Sequence, residues 1–256
     1  MKTMLMLVVA IGCLGLFAGD NNSKKTANAG PVKSYTVKKI SHPADIGAAW
    51  DSADWKDVEA LKVDNFRPEG SKDHHPEVEC RLQHDATGLY GLFQVKDKYI
   101  RSVYTGHNNK VCRDSCVEFL VEPPGGQGYF NFEMSCGGSM LLFHIKDPSR
   151  SPTGKSFKDF TPISEDDAKV IKIFHTMPRI VEPELVGDQT WRVGFYIPFS
   201  FFESRIKGLK AASGQTWRGN FYKCGDQTSH PHWASWSPIP AVKFHLPAYF
   251  GNIILE

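Results

Sequence analysis

Alternation of apolar and polar residues with a period of two recurs from Glu77 to the C-terminus, and it limits this chain's folds more than any other feature. In an extended strand, residues i and i+2 share a face, so such runs bury one side only when they join a sheet. Long stretches with the 3.6-residue period of a helix are missing. The pattern predicts strands over residues 77–84, 88–95, 115–121, 128–136, 139–145, 170–175, 191–197, 217–223, 233–237 and 252–255. Turn chemistry falls between them, in Asp85-Ala86-Thr87-Gly88, Pro123-Pro124-Gly125-Gly126 and Gly187-Asp188. One short helix is expected over 198–209, opening on Pro-Phe-Ser and closing near Gly208. Strands of this number and spacing predict an all-β fold, a two-sheet sandwich.

The N-terminus limits where that sandwich works. Lys2 is the only early charge, and an apolar run over 4–18 follows it. The run is too short to span a bilayer and has the form of a cleaved export signal. Two processing routes compete: signal-peptidase cleavage near Ala18 or at Ala27-Asn28-Ala29, and a lipobox, Ala10-Ile11-Gly12-Cys13, that would lipidate Cys13. The chain is therefore expected to be periplasmic, secreted or lipid-anchored at the cell envelope, with a lipid on Cys13 as its sole membrane attachment. Residues 1–18 read as signal, 19–34 as a polar tether with too few apolar residues to fold, and 35–256 as one domain. A formal charge of +2 without basic clusters gives no footprint for nucleic acid. Past the leader stand Cys80, Cys112, Cys116, Cys136 and Cys224, an odd number for an exported chain. Cys80 with Cys112 is the first disulfide to consider, and buried thiols are the reading for the others.

Two neighbouring strands divide by parity. In 115–121, Val117, Phe119 and Val121 share one face, and Cys116, Glu118 and Leu120 the other. In 128–136, Phe130, Phe132, Met134 and Cys136 oppose Tyr129, Asn131, Glu133 and Ser135. If these strands pair, Glu118, Asn131 and Glu133 form one polar patch behind a core face. Such a patch is either a solvated outer surface or a site for a polyol, whose hydroxyls need carboxylate and amide groups in fixed positions and an apolar wall.

The string Arg113-Asp114-Ser115-Cys116-Val117-Glu118-Phe119 resembles the D-S-x-V-E motif of family 9-like carbohydrate-binding domains. Tyr129-Phe130-Asn131-Phe132-Glu133, the segment 219–226, Ser235-Trp236-Ser237-Pro238 and Pro247-Ala248-Tyr249-Phe250-Gly251 follow in the family's order, so the resemblance covers about Tyr35 to the C-terminus. It implies an antiparallel two-sheet β-sandwich of the DOMON-like kind that binds mono- or oligosaccharide ends of a polysaccharide without cleaving them. The sugar-bonding glutamate of the motif falls on Glu118, the polar pair of the next strand on Asn131 and Glu133, and a later polar ligand on Lys223. Parity sets Lys223 on the side of Trp217 and Phe221, away from the patch except at a strand end or bulge. The C-terminal stacking aromatic falls on Phe244. The upstream one has no counterpart, because Val111 and Cys112 stand there; Tyr104 or His107 is the nearest replacement. Trp236 falls on a core position of the family, Trp233 is the tryptophan to test for stacking, and structural calcium is a further implication of the resemblance.

Two other readings compete. Glu118 and Glu133 could serve a glycoside hydrolase, which needs two carboxylates across the scissile bond. The wider DOMON-like group includes haem binders, for which Met134, Met140, His144 and His175 supply ligand types. His74-His75, His230 with His232, and Asp51, Asp54 and Asp57 offer metal-ligand types at uninformative spacings.

Overall fold

The structure, a computed structural model, describes residues 32–256; the expected signal segment, Cys13 and nearly all of the expected tether lie outside the described residues. The strands are β1 (Ser34–Lys39), β2 (Leu61–Lys62), β3 (Asn65–Phe66), β4 (Glu77–His84), β5 (Gly88–Ser102), β6 (Cys116–Glu122) and β7 (Tyr129–Ser135), followed by β8 (Met140–Arg150), β9 (Phe157–Pro162), β10 (Lys172–His175), β11 (Val181–Pro198), β12 (Thr216–Cys224), β13 (Trp233–Ser235) and β14 (Gly251–Leu255). Two helices are interspersed, α1 (Glu165–Ala168) and α2 (Phe199–Glu203).

Hydrogen bonding follows the order β10-β11-β5-β4-β1-β14-β12-β6-β7-β8-β9, with β13 also on β12. Strand β1 is the seam between two sheets: Ser34 to Val37 pair with β14, and Lys38 and Lys39 pair with β4. On either side of that seam the sheets fold face to face and form a β-sandwich. Phe93 and Phe195 from one sheet meet Phe221 and Phe119 from the other at centroid distances of 6.1 and 5.9 Å. Aromatic payloads of this size dominate the inner core. Helix α2 closes one end, setting Phe202 edge-on to Phe130 and Trp217 at 5.2 and 5.0 Å.

The all-β sandwich expected from the sequence is the fold found, with three corrections of detail. Strand β1 runs parallel to both its neighbours, whereas the other pairings are antiparallel. No hairpin joins β1 to β14 or β4, so no turn forces an antiparallel approach. The helix expected over 198–209 shrinks to α2, and α1 was not foreseen; at four residues, with Ser164 Oγ accepting from the Asp167 amide at 3.1 Å, it is too short to leave a period. Cys80 is a free, buried thiol, so the Cys80–Cys112 disulfide is not formed. Cys80 belongs to the inner core and Cys112 to a second cluster on the outer face of the β6–β7 sheet, with the sheet between them.

Candidate functional site

Strands β6 and β7 pair in the register parity requires. Glu118 lies directly opposite Glu133 on one side and Tyr222 on the other, and Leu120 lies opposite Asn131. Val117, Phe119, Phe130 and Phe132 face the inner core, which pins Glu118, Asn131 and Glu133 to the outer face. Glycines at positive φ bracket β7, Gly128 at +94° and Gly138 at +82°. A Cβ on Gly128 would sit 2.3 Å from the Ile145 carbonyl oxygen, so both the turn and the close approach need glycine.

The outer face is not the solvated surface that its polar residues equally suggest. Glu118, Asn131 and Glu133 are 2, 1 and 3 % exposed. An outer apolar cluster lies around them: Val111, Cys112, Tyr222, Ile239 and Phe250, with Phe160, Trp233, Phe244 and Tyr249 half-buried at its margin. Within this layer Asn131 Nδ2 donates to Glu133 Oε1 at 2.8 Å, and the Cys224 thiol donates to Glu118 Oε1 at 3.3 Å. Glu118 Oε2 and Asn131 Oδ1 are buried acceptors with no donor. Burial, reinforced by the Glu133 carboxylate opposite, pushes the Glu118 carboxyl well above the usual range. Burial also raises Glu133, to about 7, despite the amide bond from Asn131. The patch is therefore crowded with carboxyls that burial and mutual repulsion drive toward the protonated form.

Two loops frame it. Asp226 follows β12; its amide donates to the Cys112 carbonyl, and its Oδ1 accepts the Trp233 indole N–H at 2.7 Å. Burial raises the Asp226 carboxyl as well. Trp233 lies opposite Cys224, on the patch face of the sheet. The Phe244 ring stacks on Tyr222 at 4.1 Å and 15°, while the Tyr222 hydroxyl donates to the Phe244 carbonyl at 2.9 Å. Half-buried, Phe244 lies at the edge of the layer with one face spent on Tyr222. Tyr104 donates to Gln227 Oε1 at 2.9 Å beneath the guanidinium groups of Arg101 and Arg113, and His107 is bonded to the Ile163 carbonyl.

Lys223 lies elsewhere. It is fully buried on the inner side, where Nζ contacts His232 Nε2 at 2.8 Å, the Cys224 carbonyl at 3.0 Å and Asp97 Oδ2 at 3.6 Å. Asp97 Oδ1 is held by His74 Nε2 at 2.7 Å. Burial alone would raise Asp97, but Lys223 and the two imidazoles hold it far below the usual carboxylate range. Burial and the neighbouring Lys223 lower His232 to about 3. A neutral His232 that donates from Nδ1 to the His230 carbonyl leaves Nε2 to accept from Lys223. The structure thus unites Glu118, Asn131 and Glu133 and places Lys223 behind the sheet that carries them.

Other ligand types foreseen in the sequence are spent locally. Met134 and Met140 lie in the inner core, His144 Nε2 is bonded to the Gln127 carbonyl, and Asp54 accepts the Asp45 amide. Among the described residues, Cys116, Glu118 and Cys224 are the group of His, Cys, Asp or Glu side chains close enough to share a metal ion. Two thiols do not suit calcium, which takes oxygen ligands, so the implied structural calcium finds no side-chain cluster there. Sequence reasoning missed Asp226 as a wall of the site and the Cys116–Cys224 pairing. The parity of 115–121 offered Cys116; Cys224 needed the register of β12 on β6.

A model of carbohydrate-binding family 9 matches residues 50–255. Among solved structures, a Bacteroides uniformis protein named as a candidate carbohydrate binder is 30% identical, with a TM-score of 0.72 over 88% of this chain and 100% of its own. A family 9 module from Caldicellulosiruptor kristjanssonii, solved with glucose, is 14% identical, with a TM-score of 0.57 over 88% of this chain and 96% of its own. The structure of such a module from the same organism with cellotriose gives a TM-score of 0.56 at 14% identity, covering 88% of this chain and 94% of that one. At that identity the last two speak for the fold alone. Among curated proteins no sequence matches.

Proposed function

The chain belongs to carbohydrate-binding family 9, and from that membership we propose that it binds saccharide without cleaving it, on the outer face of β6 and β7. Glu118, Asn131 and Glu133 supply the polar contacts and the free side of Phe244 an apolar one. The observation that carries this reading is the pair of buried, donorless acceptors, Glu118 Oε2 and Asn131 Oδ1. A buried acceptor without a partner costs about 1–3 kcal/mol. Hydroxyl groups on adjacent ring carbons are donors at the spacing of neighbouring side chains, so a sugar relieves both. Val111 and Cys112 stand where the family has an aromatic, and Trp233 at the margin offers the alternative ring.

Binding without cleavage suits the arrangement of the carboxyls. Glu118 and Glu133 are direct cross-strand neighbours on one sheet face, with Cβ atoms on the order of 5 Å apart. They meet a ligand from the same side, whereas hydrolysis needs carboxyls flanking the bond. Lys223 contributes from behind the sheet, by holding the loop 225–232 through His232. The ligand class is the mono- or oligosaccharide end of a polysaccharide, and the reading of residues 1–18 as an export signal puts the encounter outside the cytoplasm.

Glycan-array binding by the wild type, followed by calorimetry on the best ligand, tests the reading. Phe244→Ala is expected to weaken binding about tenfold, the worth of roughly 1.4 kcal/mol. Glu118→Gln should weaken it further, with no reducing sugar released by either protein. A wild type that binds no glycan on the array overturns the proposal.

A further inference from the structure

On the outer face, next to the saccharide patch, two thiols and a carboxyl converge with no basic residue among them. We propose that Cys116, Glu118 and Cys224 form a binding site for a borderline-soft divalent cation, zinc above all. The site goes beyond the saccharide reading, although Glu118 belongs to both.

Strand geometry builds it. Cys116 and Glu118 are two residues apart on β6 and so share a face, and Cys224 of β12 lies directly opposite Cys116. One potential ligand atom from each of the three lies within 4.8 Å of those from the others. The edge of a tetrahedron around zinc, with bonds of about 2.3 Å to sulfur and 2.0–2.2 Å to oxygen, is roughly 3.5–3.8 Å long. The Cys224 Sγ to Glu118 Oε1 distance of 3.3 Å is already close to that edge, so little movement is needed. Cys116 and Cys224 are both free thiols and fully buried.

Glu118 Oε2, shared with the saccharide reading, is a buried acceptor that nothing in the described residues satisfies. Charge completes the argument. Glu133 and Asp226 add further carboxyls around the same space and act electrostatically on Cys224, while the nearest buried ammonium, Lys223, is engaged on the inner face by Asp97 and His232. A divalent cation takes the place of the ligand protons, which are released to solvent, and offsets two of the three ligand charges. The two sulfurs choose the metal: thiolates select zinc over calcium or magnesium. Three protein ligands leave the fourth tetrahedral position open.

The test uses the full chain, reduced and freed of metal, titrated with cobalt(II) and then zinc. The expected result is one equivalent bound, with a thiolate-to-cobalt charge-transfer band and tetrahedral visible bands that zinc bleaches. Losing an outer-shell partner of a metal typically costs 10–100-fold in affinity, so Cys116→Ser and Cys224→Ser should each cost about 100-fold or more. Phe244→Ala, which removes a ring at the margin of the outer layer and no metal ligand, should leave the cobalt spectrum unchanged. The wild-type spectrum needs no variant to fold, and its lack of a thiolate band overturns the proposal. So does a band that survives in both serine variants, or a Cys116–Cys224 disulfide found by mass spectrometry in the unreduced protein. A protein that shows the cobalt band but binds no glycan keeps this site and sinks the saccharide reading.

Discussion

Strand β12 carries two buried polar clusters on successive residues, and they are opposite in kind. Lys223 points inward to Asp97, His74 and His232, where each ionised group meets a complementary one. Cys224 points outward to Glu118, with Glu133 across the strand, where carboxyls and thiols gather without a cation. Burial is equally deep on both sides of the sheet. What differs is charge: Asp97, although its Oδ2 accepts no hydrogen bond, faces the Lys223 ammonium at 3.6 Å, whereas the outer carboxyls face one another. The inner cluster is balanced in charge and belongs to the fold, whereas the outer one holds no cation of its own among the described residues.

Breaking the inner cluster should therefore cost the most. Lys223→Met leaves the Asp97 carboxylate buried without its cation, and a loss of about 3–5 kcal/mol in urea unfolding is expected. Asp97→Asn in the same chain should restore a good part of it. A single-variant cost below roughly 1 kcal/mol would show that the two clusters are not different after all.

The outer cluster should respond to pH in the opposite sense. Glu133, raised to about 7 in the folded state, keeps a proton that the unfolded chain gives up near pH 4.5. Its contribution is thus unfavourable above pH 7 and fades as pH falls to 4.5. Glu133→Gln removes that slope, and the variant should gain on the order of 3 kcal/mol over the wild type at pH 8 and nothing at pH 4. His232 and His245, both lowered to about 3, destabilise the fold as pH falls below about 6.5, but equally in the two proteins, so they cancel in the difference. A difference independent of pH would refute the assignment.

The smallest effect falls on the frame. Trp233→Phe keeps a ring in place but removes the indole donor from Asp226, a change worth about 1–2 kcal/mol in thermal unfolding. If saccharide affinity drops with it by more than stability explains, Trp233 is the second ring of the site.

Much of the inner layer was legible from parity. Val117, Phe119, Phe130, Phe132 and Met134 fall on the core face because a period of two is a local property of the backbone. The same rule joined Glu118, Asn131 and Glu133 and set Lys223 apart. Less was legible at the ends of strands. β5 runs on to Ser102 and β11 starts at Val181, because their extensions form a ribbon with exposed Leu185 and Val186 and little alternation to detect. Strand β9 and the short β2 and β3 went unseen for the same reason. Seam strand β1 was hidden because it sits beside the polar tether and owes its place to partners at the far end of the chain.

By itself, the sequence determined which side chains share a face, since alternation needs only neighbouring residues. It also supplied the D-S-x-V-E string that marks the family. Tertiary structure decided whether a face is wet or dry and which charges meet. Glu118 is buried because loops about 100 residues later in the chain pack beside it, and Lys223 finds Asp97 across the sandwich. Such meetings depend on register and on the closing of one sheet over the other, and no local pattern encodes them.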